Sequence, residues 1–157
     1  MLIETLLDGC FRVLEALGIR PHDDLAQSDA GWTVRIMGKG GKPEEVAISA
    51  SLASRLQSYA YRQALSPEER IFPINLARVW QIIDRAFTLS RIRKPNHVGT
   101  VHVLRHSGAL ARLAATGNPK AVQGQLRHVN AKMTLRYLKT LRSMEPLRIQ
   151  RRFDFGW

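Results

Sequence analysis

Two histidines and an arginine lie within five positions of the segment HVLRHSGALARL, residues 102–113. The apolar residues of this segment recur at helical spacing, which predicts an α-helix. His102, Arg105 and His106 therefore lie within about one turn of each other. These residue types suit a metal site, a core that accommodates polar side chains, or a site that handles phosphate.

A metal site is the least favoured of the three. His102 and His106 have the i and i+4 spacing that can hold zinc from one helical face. The catalytic zinc motif of this spacing needs a glutamate between the histidines, but Val103, Leu104 and Arg105 occupy those positions. Because a guanidinium beside the ion would oppose binding, we expect no metal here, and His106 is expected to support the site from behind or to have a structural role. We expect no other cofactor.

The distribution of charge favours phosphate. The formal net charge is +11, and it is confined to one half of the chain. Residues 1–90 hold ten Lys and Arg against eleven Asp and Glu, whereas residues 91–157 hold fourteen against two. This polarity is typical of a surface that binds a polyanion, because each neutralised phosphate releases counterions. A generally basic, solvated surface is the alternative.

Length and composition exclude several other classes. A chain of 157 residues with 45% hydrophobic and 24% charged residues is typical of one folded, water-soluble domain. The apolar runs are too short to span a membrane. Glu4 and Asp8 occupy the part of the N-terminus where a secretory signal would be basic and then apolar. Cys10 has no partner for an internal disulfide, so we expect a cytoplasmic protein.

The hydrophobic periodicity predicts a mainly α domain with a small antiparallel β-hairpin or sheet. A basic loop is expected at 90–99. Helices are expected at 1–17, 51–64, 76–87, 101–116 and 130–141, with a further helix starting at Asn118 and Pro119, and a hairpin at 31–49.

Five short patterns along the chain resemble one family. They are GCFRVLEAL around Arg12, IMGKGGK around Lys39, HVLRH at 102–106, LRH ending at His128, and LRYL with Tyr137 nine residues later. The catalytic domains of the tyrosine recombinases, the phage integrase family of DNA breaking-rejoining enzymes, have similar motifs at similar spacing. Those motifs are T-G-L-R-x-S-E-L, G-K-G-x-K, H-x-L-R-H and L-G-H, with a tyrosine nine positions on.

The resemblance covers residues 6–140 and implies the breaking-rejoining fold. It also implies a phosphodiester as the group under attack. Arg12 and Arg105 would hold its non-bridging oxygens, since two guanidinium forks supply permanently charged donors to the developing charge. His128 would donate a further hydrogen bond to the same oxygens.

The resemblance gives the remaining family positions to the proton transfers and the nucleophile. Tyr137 would attack phosphorus and form a covalent link to the DNA 3′-phosphate. His102 would act as general base, and Lys39 on its glycine-flanked hairpin tip would protonate the departing 5′-oxygen. Because the phosphotyrosyl bond conserves the energy of the broken ester, neither ATP nor metal is required.

Each of these residues, taken singly, has a structural alternative. Arg12 could form an ion pair with Glu15 inside a core helix, Lys39 could be a solvated turn residue, and Tyr137 could pack in the core. The histidine and arginine of the 102–106 motif could be capped or salt-bridged surface groups. The five patterns in order and at family spacing favour catalysis.

Two departures from the family pattern affect the expectations. Arg127 occupies the place of the family's usual glycine before His128, where it could contact phosphate or crowd the site. Relatives have a separate core-binding domain, so we expect residues 1–157 to be a single catalytic domain, N-terminally incomplete and without that domain. We expect residues 143–157 to be a C-terminal tail that docks on a neighbouring subunit or folds back.

The sequence therefore predicts a site-specific DNA recombinase or integrase catalytic domain. Its expected partners are double-stranded DNA and further copies of the chain, as a homo-tetramer assembled on DNA through the tail, with no membrane. The alternatives are a DNA-binding remnant without catalysis and a type IB topoisomerase, which shares the chemistry.

Overall fold

The computed structural model describes residues 1–38, 40–93 and 99–128, together with residues 132, 134 and 139. The secondary structure of this part confirms the expected class, mainly helical with one small antiparallel sheet. Its elements are α1 (Leu2–Asp8), α2 (Val13–Gly18), β1 (Leu25–Ser28), β2 (Gly31–Met37), β3 (Pro43–Ile48), α3 (Ala50–Arg62), α4 (Leu76–Ser90), α5 (His102–Thr116) and α6 (Pro119–Leu126).

The continuous helix expected at 1–17 is wrong, because the chain breaks between α1 and α2. Gly9 caps α1, Cys10 adopts a left-handed conformation with φ of 49°, and Arg12 is extended. A side chain at Gly9 would overlap the ring of Phe11. Both short helices bury apolar residues in one core. The apolar residues before and after the break therefore have the spacing of a single helix, although the backbone is not one.

The sheet has the predicted hairpin and one strand that was not predicted. β2 pairs with β3 in antiparallel register, with the buried Val34 opposite Val46. β1 pairs with the other edge of β2, which gives the order β1-β2-β3. β1 has only four residues and is mostly exposed, so it lacks the apolar alternation by which strands are recognised.

The helices after the sheet begin where the sequence provides caps. The Ser49 hydroxyl accepts from the Leu52 amide ahead of α3, and the Asn75 side chain accepts from the Arg78 amide ahead of α4. Asn118 caps α6. None of the helices in the described part is long and apolar enough to cross a membrane.

Two compact units divide the chain, Met1–Gly108 and Ala109–Trp157. The core of the first unit combines apolar side chains from both sides of the break between α1 and α2, from the inner face of the sheet, and from α3 and α4. Its largest fully buried members include Phe11, Leu52 and Ile83. α5 begins in the first unit and continues into the second.

Candidate active site

The carboxylate of Glu15 brings Arg12 and Arg105 together. Arg12 Nη1 donates to Glu15 Oε1 at 2.7 Å, and Arg105 Nη1 lies 3.8 Å from Glu15 Oε2. The Arg12 backbone amide also donates to Oε2 at 2.6 Å, as in a capping box. One glutamate in the first turn of α2 thus joins an arginine before α2 to an arginine in α5.

The break between α1 and α2 creates the second contact of Arg105. The left-handed conformation at Cys10 presents its carbonyl oxygen to Arg105 Nη1, which donates to it at 2.5 Å. α5 approaches this turn closely because Gly108 has no side chain; a Cβ there would overlap the Leu7 carbonyl oxygen. A helix running unbroken through residue 12 would keep the Cys10 carbonyl within its own hydrogen bonding.

The two arginines differ sharply in exposure. The side chain of Arg105 is 6% exposed, as is that of Glu15, whereas the side chain of Arg12 is 42% exposed. Arg12 and Glu15 line a cleft of about 1020 Å³, together with His102 and Gly38, the residue before Lys39. Arg12 therefore presents the more accessible guanidinium of the pair.

The described lining of this cleft has balanced formal charges. Its arginines are Arg12, Arg20 and Arg35, and its carboxylates are Glu15, Asp23 and Asp24. Asp24 accepts from the Arg20 amide at 2.8 Å and lies 3.7 Å from Arg35 Nε, so this carboxylate is engaged with groups of the cleft itself. This described part of the lining therefore carries no net positive charge among its arginines and carboxylates.

His102 is exposed at the start of α5, one turn before Arg105. Its ring meets that of His106 edge to face, with centroids 6.3 Å apart. Among the described residues, no group of three or more His, Cys, Asp or Glu side chains is placed to hold a metal ion.

His128 lies in the second unit, directly after α6. Arg127 caps α6 in the left-handed conformation, with φ of 52°, and its Nη1 donates to the Gln125 carbonyl at 3.0 Å. Gln123 contacts the backbone of His128 twice. The Gln123 carbonyl accepts from the His128 amide at 3.2 Å, and the Gln123 side-chain amide donates to the His128 carbonyl at 3.1 Å. His128 Nδ1 lies 3.2 Å from Thr134 Oγ1.

The conformation of Arg127 gives a physical reason for the family's glycine. A left-handed residue at a helix C-terminus is most often glycine, because any other side chain is strained there. This chain keeps the turn and places an arginine in it.

Lys39 and Tyr137 lie outside the described residues. So do most of the helix expected at 130–141, the tail at 143–157 and residues 94–98 of the basic loop. Their expected roles stay predictions.

The sequence analysis predicted only a local role for Glu15, as an ion-pair partner of Arg12. Its second contact, to Arg105, was missed, and so was the Cys10 carbonyl. The sequence did contain one indication that Glu15 matters beyond its contact with Arg12. The family pattern has a glutamate three residues after its first arginine, at the position of Glu15. No sequence signal marks a backbone carbonyl ninety-five positions before its donor.

The fold is that of tyrosine recombinase catalytic domains. The structure matches the XerH site-specific recombinase bound to palindromic difH substrate with a TM-score of 0.77 and 22% identity, over 96% of this chain and 45% of that one. It also matches the catalytic domain of bacteriophage HP1 integrase, with a TM-score of 0.64 and 21% identity, over 88% of this chain and 72% of that one.

The sequence gives the family. Residues 1–143 match the phage integrase family, to which this chain belongs. The tyrosine recombinase XerC of Rhizobium meliloti (strain 1021) is 32% identical over 145 residues, covering 85% of this chain and 43% of the relative. A tyrosine recombinase of Pseudothermotoga lettingae is 33% identical over 142 residues, covering 87% and 48%. The chain therefore spans less than half the length of these relatives.

Proposed function

We propose that this chain is the catalytic domain of a site-specific DNA recombinase, which breaks and rejoins strands through a covalent 3′-phosphotyrosyl intermediate. The observation that carries the proposal is the convergence of Arg12 and Arg105 on Glu15, beside a cleft that also contains His102. Two guanidinium groups held this close together can contact the oxygens of one phosphate.

The arginines have different parts in this chemistry. Arg105, buried and tied to the Cys10 carbonyl, is a fixed donor, whereas the half-exposed Arg12 can exchange part of its contact with Glu15 for a phosphate oxygen. Such fixed donors stabilise developing charge without reorganising during the reaction. Glu15 acts as a positioning residue, because its carboxylate sets the separation of the two cations.

The strand transfer needs the residues that the family resemblance supplies. Tyr137 Oη attacks phosphorus, its proton passing to His102, and the bond from phosphorus to the 5′-oxygen breaks. Lys39 protonates the departing 5′-oxygen. His128 donates to the phosphate oxygens. Attack by the 5′-hydroxyl of a second strand on the phosphotyrosyl bond reverses these steps and joins the strands.

Double-stranded DNA is the proposed partner. The basic excess of residues 91–157 supports it, and so does the fold of XerH, a recombinase bound to a DNA substrate. We propose that a homo-tetramer assembles on the DNA through residues 143–157. Affinity for DNA by this chain alone is expected to be weak and strongly reduced by salt.

Covalent capture tests the enzyme directly. The protein is incubated with a library of nicked duplexes of randomised sequence, because the target site is not known, and adducts are isolated in denaturant. We expect a protease-sensitive adduct that Tyr137→Phe abolishes while leaving DNA binding unchanged. An adduct that persists in Tyr137→Phe contradicts this choice of nucleophile.

The second candidate is a DNA-binding remnant without turnover. The arginine at position 127, next to His128 and strained in its turn, favours it. Both candidates predict DNA binding, but only the recombinase forms an adduct. Binding of the library with no adduct from the wild type would support the remnant.

A further inference from the structure

We propose that Thr134 is a positioning residue for His128, holding the imidazole at Nδ1 so that the proton of the neutral ring stays on Nε2. The consequence for catalysis rests on the recombinase chemistry proposed above, whereas the contact itself does not. The evidence is the pair of polar atoms 3.2 Å apart, His128 Nδ1 and Thr134 Oγ1.

The surroundings of Thr134 make this contact specific. Thr134 is 3% exposed, one of few buried polar residues in the described part of the chain. Leaving a buried hydroxyl without a hydrogen bond destabilises the folded state. The Thr134 hydroxyl is therefore expected to keep a hydrogen-bond partner in a well-defined position. A threonine hydroxyl can donate to an imidazole nitrogen, and the hydrogen bond at one ring nitrogen determines which nitrogen carries the proton.

The backbone of His128 is already fixed by other contacts. Gln123 accepts from the His128 amide and donates to its carbonyl, at 3.2 and 3.1 Å. These contacts hold the main chain of His128, and the hydroxyl of Thr134 contacts the ring at Nδ1. With Nδ1 accepting from that hydroxyl, the neutral ring carries its proton on Nε2, the nitrogen that donates to a phosphate oxygen in the proposed chemistry.

Ring ¹⁵N spectra of the full chain, at a pH where the imidazole is neutral, test the contact. The signals of His128 are identified by their loss in His128→Ala. In the wild type we expect an unprotonated Nδ1 that accepts a hydrogen bond and a protonated Nε2. Thr134→Val, of nearly the same shape, should shift the Nδ1 signal, and Thr134→Ser should restore it.

Thr5→Val is the matched control. Thr5 is a fully buried helical threonine whose hydroxyl donates to the Met1 carbonyl at 3.1 Å, outside the proposed machinery. Its loss should leave the His128 signals unchanged. An unchanged Nδ1 signal in folded Thr134→Val overturns the proposal.

A double-mutant cycle on adduct formation tests the role in catalysis. Thr134→Val should slow the adduct about ten-fold, less than the roughly 100- to 1000-fold cost of removing an oxyanion donor outright, and Thr134→Ser should restore most of the rate. In the His128→Ala background, Thr134→Val should change the rate less than about two-fold. Equal losses in both backgrounds would mean a merely structural threonine and overturn the proposal. Absence of any wild-type adduct overturns the recombinase function instead, and the ring spectra still decide on Thr134.

Discussion

The arginine cluster and the His128 turn are held in different ways. In the cluster, Arg105 reaches across ninety-five positions to the Cys10 carbonyl and meets a buried carboxylate. In the turn, His128 contacts Gln123 and Thr134, which are no more than six positions away. The first arrangement depends on tertiary packing and charge, and the second on local backbone conformation.

The largest effect is expected where charge holds the cluster together. Glu15→Gln leaves the Arg105 guanidinium buried without its carboxylate, so the free energy of unfolding should fall by about 3 kcal/mol, as for other broken buried pairs. Most of this loss should come from the contact between Glu15 and Arg105. The contact between Glu15 and the half-exposed Arg12 is screened by solvent and should contribute less. Urea denaturation measures it.

Glu68→Gln is the control for the same chemical change at an exposed position. It should alter the free energy of unfolding by less than about 0.5 kcal/mol. If the two variants have the same free energy of unfolding, Glu15 does not hold the arginine cluster. The cluster would then not differ from the His128 turn in depending on charge.

A smaller effect is expected from packing. Gly108→Ala places a methyl group against the Leu7 carbonyl, which should cost about 2 kcal/mol as α5 moves away from α1. Gly124→Ala, in α6 with no atom within 4 Å of the added Cβ, should instead raise stability by up to about 1 kcal/mol. Thermal unfolding of both variants shows whether each substitution raises or lowers the stability. A stabilising Gly108→Ala would contradict the close approach of α5 to the Leu7 carbonyl.

The smallest effect concerns the turn. Arg127→Gly relieves a left-handed arginine, whereas Arg127→Ala removes the same side chain and keeps the strained conformation. The glycine variant should be more stable than the alanine variant by about 1 kcal/mol. Denaturant titration of the pair isolates the backbone contribution, and an alanine variant as stable as the glycine one would show that the turn is not strained.

Local features of the fold were predictable from the sequence. Asn75 and Asn118 marked helix starts, Gly117 marked the end of α5, and the glycines after Met37 marked the hairpin tip. These signals act over a few residues, where side-chain capping and glycine conformation decide the structure.

The break at residues 9–12 could not be predicted in the same way. Apolar spacing in α1 and α2 fits one helix, whereas the turn at Cys10 accompanies two close approaches, of the Phe11 ring to Gly9 and of Gly108 in α5 to the Leu7 carbonyl. The family motifs identified Arg12 and Arg105 as partners and include a glutamate at the position of Glu15, but they do not reveal that Glu15 and the Cys10 carbonyl both contact Arg105. Those contacts depend on tertiary structure, which periodicity does not specify.

The single-turnover rate of adduct formation by Arg12→Gln, at saturating DNA, tests most directly whether the cluster handles phosphate. Arg12 is half exposed and contributes little to the core, so the variant should fold like the wild type. If its guanidinium contacts the phosphate under attack, the rate should fall at least about 100-fold. A rate within about three-fold of the wild type, in a folded variant, would contradict a catalytic role for Arg12 and leave the cluster as a structural ion pair.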